Sequence, residues 1–290
     1  MTPGRLGFAG LGQMGGPMAA NIAKGGFALA VYDKAGTRER TPDKASSVDS
    51  LESLAARVET LFLSLPDGPA TVGFARDLAA VKTRAVKVVI DLSTIGIEAA
   101  RDADRVYADA GITYVDAPVS GGQSGARAGT ITVMWAGPAE LMEAHRKVMK
   151  SFCKNLFHVG PEPGQGQAMK LLNNYLSATA MAATSEAMAF GLAQGLPMKT
   201  VLDVVNVSTG RNTATSDKFV NRILTGTYDA GFKTKLLAKD VRLFVENAGA
   251  AGTPIEIARV VADIWQRADK AMPDTDFTRI YPFITGKRGG

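Results

Sequence analysis

A lysine and an asparagine one helical turn apart could handle a proton together, and Lys170 and Asn174 are such a pair. They stand four residues apart in a stretch, 167–194, that holds no proline and a single glycine, Gly191. Rich in Ala, Met and Leu, that stretch predicts one long helix, on which positions i and i+4 share a face. Ala168, Met169, Leu171 and Leu172 surround the lysine with apolar groups. In a closed apolar cleft an ammonium loses hydration, so its pKa moves down from about 10.4 toward the range useful for general acid–base work. An amphipathic helix with one solvated lysine has the same spacing, and spacing alone favours that plainer reading. Upstream, Ser120-Gly121-Gly122 follows an apolar, strand-like segment at 112–116. A hydroxyl beside two glycines can form a nest of backbone donors for a carboxylate, or simply turn the chain.

A second constellation lies near the N-terminus. Gly10-Leu11-Gly12-Gln13-Met14-Gly15 follows a short β-like run and opens a helical pattern. In a dinucleotide fingerprint the first glycine permits a tight turn, the second lets backbone approach a pyrophosphate, and the third allows close helix–strand packing. The helix N-terminus adds free N–H groups and partial positive charge. Asp33 ends the next apolar run, where a carboxylate can accept hydrogen bonds from the adenosine ribose hydroxyls. A carboxylate there repels a 2′-phosphate and so favours NAD, while Lys34, Arg38 and Arg40 could offset that repulsion and admit NADP.

These sites need elements to hold them. The first half alternates strand-like runs at 6–9, 29–32, 60–65, 87–92 and 112–116 with helical patterns at 14–24, 50–56, 70–80 and 98–110. Such alternation implies right-handed crossovers and a parallel sheet covered on both faces. A strand at 130–136, a helix at 139–149 and a strand near 156–159 follow. Pro161-Glu162-Pro163-Gly164-Gln165-Gly166 is rich in turn residues, and beyond it no strand pattern remains. Further helices are expected at about 198–207, 214–224, 236–250 and 255–269. The expected fold is an α/β Rossmann domain, doubly wound with a mainly parallel sheet, over 1–163. An all-α C-terminal domain, entered through a long interdomain helix, covers 164–290. The glycine-rich tail, 286–290, is expected to be mobile.

Composition removes several function classes. A hydrophobic share of 46% with 21% charged residues describes a globular chain. Cys153 is the sole cysteine, which excludes an internal disulfide and cysteine-ligated zinc; it reads as a packed thiol. With only His145 and His158, no metal centre is expected. The net charge of +5 suits anionic cofactors and acids. The basic residues are spread without a run of five, so nucleic acid is not an expected partner. No apolar run approaches the roughly 18–20 residues of a membrane span, and the first residues lack a secretory cleavage pattern, so a cytoplasmic protein is expected.

With these motifs in view, the sequence resembles the 3-hydroxyisobutyrate dehydrogenase-like family, the β-hydroxyacid dehydrogenases. Four blocks in family order carry the likeness: the glycine run from Gly7 to Met18, Asp116-Ala117-Pro118-Val119-Ser120-Gly121-Gly122, Gly164-Gln165-Gly166 through Lys170 to Asn174, and Lys239-Asp240-Val241. The resemblance implies Lys170 as general acid/base assisted by Asn174, and Ser120, Gly121, Gly122 and Asn174 as substrate-binding residues. It also implies that Leu65, Pro66, Thr94 and Lys239 join the cofactor site, with Lys239 able to lower the pKa of Lys170. The implied activity is NAD(P)-dependent oxidation of a short 3-hydroxy acid to its semialdehyde, or the reverse, by a homodimer or homotetramer. Relatives that reduce sulfolactaldehyde, tartronate semialdehyde or threonate-type substrates are the alternative. Imine-reducing relatives and non-catalytic homologues usually lack the lysine. Arg211 could bind a second anionic group or lie exposed, and Phe232 could line the pocket or the core.

Overall fold

A computed structural model describes residues 4–286; the ends of the chain, including most of the expected mobile tail, lie outside the described residues. Two compact units emerge, one ending at Lys170 and the other beginning at Leu171.

The first unit runs β1 (Leu6–Ala9), α1 (Gly15–Lys24), β2 (Leu29–Tyr32), a 3₁₀ turn at Arg38–Arg40, β3 (Ser46–Ser47), α2 (Leu51–Arg57), β4 (Thr60–Leu63) and α3 (Gly68–Ala80). It continues through β5 (Val88–Asp91), α4 (Ile97–Asp109), β6 (Thr113–Asp116), β7 (Val119–Ser120), α5 (Gly122–Ala128), β8 (Ile131–Ala136), α6 (Ala139–Phe152) and β9 (Cys153–Gly160). The strands form one sheet in the order β3-β2-β1-β4-β5-β6-β8-β7, with β9 paired to β8. From β3 to β6 all pairings are parallel; β8 then runs antiparallel to β6 and β7. The reversal of strand order beside β1 puts the ends of β1, β2 and β4 around one crevice, the place where such sheets bind ligands.

Sequence period explains the layers. Neighbouring residues of a strand face opposite sides. Phe62 therefore packs in one core with Phe8, Met18, Ile22, Trp135 and Phe152, while Leu61 and Leu63 join Leu54, Leu78, Val89 and Tyr107 in the other. β1 and β4 are buried along their whole length, which is why their sequences are apolar without alternation. Ser50 and Asp67 cap α2 and α3 by accepting from the N–H groups of Ser53 and Ala70. In the first unit the expected strands and helices form, and beside the 3₁₀ turn there are three additions. β3 and β7 span two residues each, too short to leave a period. α5 occupies a glycine-rich stretch that reads as a loop; there Gly125 packs so closely on β8 that an added Cβ would lie 3.2 Å from the Cγ2 of Ile131. β9 is longer than expected and starts at Cys153, whose buried thiol is pushed up to about 11 by desolvation.

Helix α7 spans Gln165–Ala193. The second unit adds α8 (Met198–Val205), a π-helix at Ala214–Ile223, α9 (Thr234–Ala250), α10 (Glu256–Ala271), a 3₁₀ turn at Phe277–Arg279 and α11 (Ile280–Thr285). Its core gathers Met181, Met188, Leu202, Phe219, Leu237, Val241, Trp265 and Tyr281. The Trp265 indole N–H donates to the carbonyl of Ala178 at 3.2 Å. Asp276 ties the α9 approach to the C-terminal turn by accepting from the N–H of Gly231. α11 falls outside the expected elements because Pro282 breaks its pattern.

Candidate active site

The glycine fingerprint forms the turn from β1 into α1. Gly10 has φ +90°, and an added Cβ would lie 2.2 Å from the carbonyl oxygen of Ser64. A Cβ on Gly15 would lie 1.9 Å from the carbonyl oxygen of Gly10. The protein's own packing therefore demands glycine at both places. Gly12 differs: a Cβ there would meet nothing within 4 Å. Its bare backbone, with exposed Gln13 beside it and Met14 at the N-cap without a side-chain cap, leaves room for a phosphate at the start of α1. These residues fit a dinucleotide.

Asp33, just past β2, is held to this turn. Its Oδ2 accepts the Leu11 N–H at 2.7 Å, and its Oδ1 accepts the Ala35 N–H at 2.8 Å. Arg40 reaches the same Oδ2 at 3.3 Å, while Arg38 pairs instead with Asp49. The carboxylate is thus both positioned and partly neutralised. The chain after β4 continues the same edge: Leu65, ahead of Pro66, donates its N–H to the Ser93 hydroxyl at 2.8 Å. Thr94 follows Ser93 at the end of β5.

Behind these loops lies a buried polar cluster that motif reading missed. Asp91 and Asp116 are partners across β5 and β6. Asp91 accepts from the Ser93 N–H and from the Tyr114 hydroxyl. Asp116 accepts at Oδ2 from the N–H groups of Gly164 and Gln167, at 2.9 and 3.0 Å. The Gln167 Nε2 donates to Asp116 Oδ1 at 2.6 Å and to the Ser93 carbonyl at 3.0 Å. Gln167 Oε1 accepts the N–H groups of Ile95 and Gly96, at 2.8 and 3.1 Å. Burial pushes the Asp116 carboxyl up to about 6, against the pull of its hydrogen bonds, and Asp91 is raised by the same cause. Gly166 explains the family's glycine here: a Cβ would lie 2.7 Å from the Asp116 carbonyl oxygen.

Ser120 pairs with Thr132 of β8. Gly121 has φ +131° and Gly122 has φ +63°, a backbone path that side-chain-bearing residues resist. Lys170 is 8% exposed and Asn174 6%, one turn apart on α7. A lysine so buried is unusual without a task or a partner. In the helical unit, Asn174 Nδ2 donates to Asp240 Oδ2 at 2.6 Å, and Lys239 Nζ lies 3.5 Å from Asp240 Oδ1. Asp240 therefore brings Asn174 and Lys239 together and locally balances the lysine's charge, which weakens Lys239 as a source of positive field.

The remaining candidates sort plainly. His145 is buried between the Thr60 hydroxyl and the Leu141 carbonyl, and desolvation lowers its pKa. Phe232 stacks edge-on against Phe277, and Arg211 is exposed. Among the described residues no group of three or more His, Cys, Asp or Glu could hold a metal ion.

Comparison with known proteins matches this geometry. Residues 5–160 fit a family model described as the NAD binding domain of 6-phosphogluconate dehydrogenase. Residues 164–284 fit one described as NAD-binding of NADP-dependent 3-hydroxyisobutyrate dehydrogenase. The chain is 34% identical to 3-hydroxyisobutyrate dehydrogenase of Pseudomonas aeruginosa, over 97% of this chain and 99% of the relative. It is 33% identical to 2-(hydroxymethyl)glutarate dehydrogenase of Eubacterium barkeri, over 90% and 88% respectively. The structure of Mycobacterium tuberculosis 3-hydroxyisobutyrate dehydrogenase with L-serine superposes with a TM-score of 0.89 at 27% identity, covering 98% of this chain and 99% of that one. Glycine cradle, strand-end loops and helical partner unit thus belong to one lineage, and the chain is a member of the 3-hydroxyisobutyrate dehydrogenase-like family, the NAD(P)-dependent β-hydroxyacid oxidoreductases.

Proposed function

We propose that this enzyme oxidises a short 3-hydroxy acid to its semialdehyde, or runs the reverse reduction, with Lys170 as the proton carrier. The observation that carries this reading is a lysine at 8% exposure on the helix that Gln167 docks against the cofactor loops. Ser120 and the backbone of Gly121 and Gly122 hold the substrate carboxylate. Lys170 takes the hydroxyl proton in oxidation and returns it to the carbonyl oxygen in reduction, stabilising the charge that develops on that oxygen. Asn174, fixed by Asp240, orients the reacting oxygen. The turn from Gly10 to Gly15, with Asp33, Leu65, Pro66, Thr94 and Lys239, holds the dinucleotide, which when bound exchanges hydride with the substrate carbon. Asp33 at the ribose position favours NAD over NADP, although its pairing with Arg40 softens the preference.

Assembly as a homodimer or homotetramer is supported by Leu176 and Phe190, apolar side chains that α7 leaves 58% and 68% exposed. A dinucleotide drawn from the intracellular pool supports a cytoplasmic enzyme. The deciding experiment is Lys170→Ala assayed with NAD and NADP against a panel of short hydroxy acids. Turnover should fall by roughly 10² to 10⁴ while dinucleotide affinity is kept. Wild-type turnover in that variant would remove Lys170 from the mechanism.

A further inference from the structure

Gln167 is fully buried, and both ends of its amide are in use. Its oxygen accepts two backbone N–H groups of the loop after β5, and its nitrogen donates once to that loop and once to Asp116. Asp116 does for α7 what a capping side chain would do. Gly164, at the N-cap position, has no side chain, and the Asp116 carboxylate accepts the Gln167 N–H in its place. Holding an amide and a carboxylate in a dry core is costly, and apolar residues would glue a helix to a sheet at least as well. What the polar pair adds is directional register.

The groups held in register are the ones the chemistry uses. Ser93 and Ile95, which flank Thr94, both bond Gln167, and the Ser93 hydroxyl in turn receives the Leu65 N–H. Lys170 follows Gln167 on α7 by less than one helical turn. We infer that Asp116 and Gln167 are positioning residues of the dehydrogenase, a clamp that sets the Thr94 and Leu65 loops and the first turn of α7 in one fixed geometry for dinucleotide and proton carrier. The Lys170 part of this inference rests on the proton-carrier reading proposed above, and the Thr94 and Leu65 part on the cofactor-site reading alone.

The test uses the full-length protein with Gln167→Met, Gln167→Glu, Asp116→Asn and the double variant D116N/Q167E. NADH affinity is read by fluorescence, kcat is expressed per NADH-binding site with the best substrate of a 3-hydroxyisobutyrate, glycerate and L-serine panel, and Tm is recorded alongside. Gln167→Met should raise the Kd for NADH about 3- to 10-fold and lower kcat per site about 10- to 100-fold, since a shift of about 1 Å costs on the order of 10² in rate. Gln167→Glu sets two carboxylates face to face and should lose at least as much. In the double variant an amide at position 116 donates to a carboxylate at position 167, restoring that bond with reversed polarity while the Ser93 carbonyl stays unserved. It should recover about 10-fold of the kcat lost in Gln167→Glu, the share owed to the restored bond and the relieved charge repulsion.

A merely structural role predicts a lower Tm with kcat per site and Kd within about twofold of wild type, and that result overturns the clamp. So does a double variant that works or folds no better than Gln167→Glu, which also decides the matter if Gln167→Met does not fold. A Lys170→Ala enzyme with full turnover would sink the proton-carrier reading alone, and the NADH affinity of the Gln167 variants would still decide for or against the clamp.

Discussion

Gly12 and Gly15 belong to one short motif yet answer to different masters. An extra methyl on Gly15 collides with the Gly10 carbonyl, whereas one on Gly12 projects into open space. Gly15→Ala should therefore destabilise the fold by about 1–3 kcal/mol, the usual cost of overpacking. Gly12→Ala should leave Tm unchanged within a degree or two and weaken NADH binding by about 10-fold or more, a methyl standing where the proposed site brings the pyrophosphate close. Thermal melts paired with NADH titrations separate the two, and equal Tm losses would contradict the assignment. The motif was legible because its glycines sit within one turn of chain, where spacing is the signal. That Asp33 stands at the end of the second strand was legible from the apolar run before it, but its bonds to Leu11 and Arg40 were not, since sequence shows the carboxylate and not what it holds. Asp240 escaped notice as the partner of Asn174 because the pair lies 66 residues apart.

Among elements, the start of α7 shows how a helix is placed rather than merely formed. Its length was readable from a run free of proline, yet its docking depends on Asp116, which joins the chain far upstream. Asp116 also gives the docking a pH dependence. Its carboxyl titrates near 6 in the folded protein against an ordinary 3.8, so between those values the native state binds the proton more tightly than the unfolded chain. Its contribution to stability is accordingly largest at low pH and is lost as pH rises through about 6. The clamp works the other way, because only the ionised carboxylate accepts all three N–H groups. Asp91, which faces it across the strands and accepts the Tyr114 hydroxyl, is the titratable neighbour whose charge acts on this proton. Below about pH 6, kcat should decline without a matching loss in Tm from this group, and Asp116→Asn should flatten that limb of the profile. A kcat profile with no acidic limb near 6 would contradict it. Strand and helix periods predicted neither this link nor α5, whose glycines looked like a loop until Ile131 showed why small residues pack there.

At the scale of the whole molecule, alternation of strand and helix followed by helices alone was enough to read the architecture, since layer order follows from element order. The candidate residues are shared out along the chain, Gly10 to Lys170 in the first unit and Asn174 with Lys239 in the second. Cys153, in the first unit, matters beyond catalysis. It is the chain's lone sulfhydryl, sealed at the entry to β9 and held in its unreactive protonated form. The native enzyme therefore offers maleimide or iodoacetamide nothing to attack. A cysteine engineered at any exposed position would carry a fluorophore or spin label without background. Conversely, slow alkylation of the untouched protein would time the transient openings of the sheet beside α6 and β9, a clock already wound into the wild-type sequence.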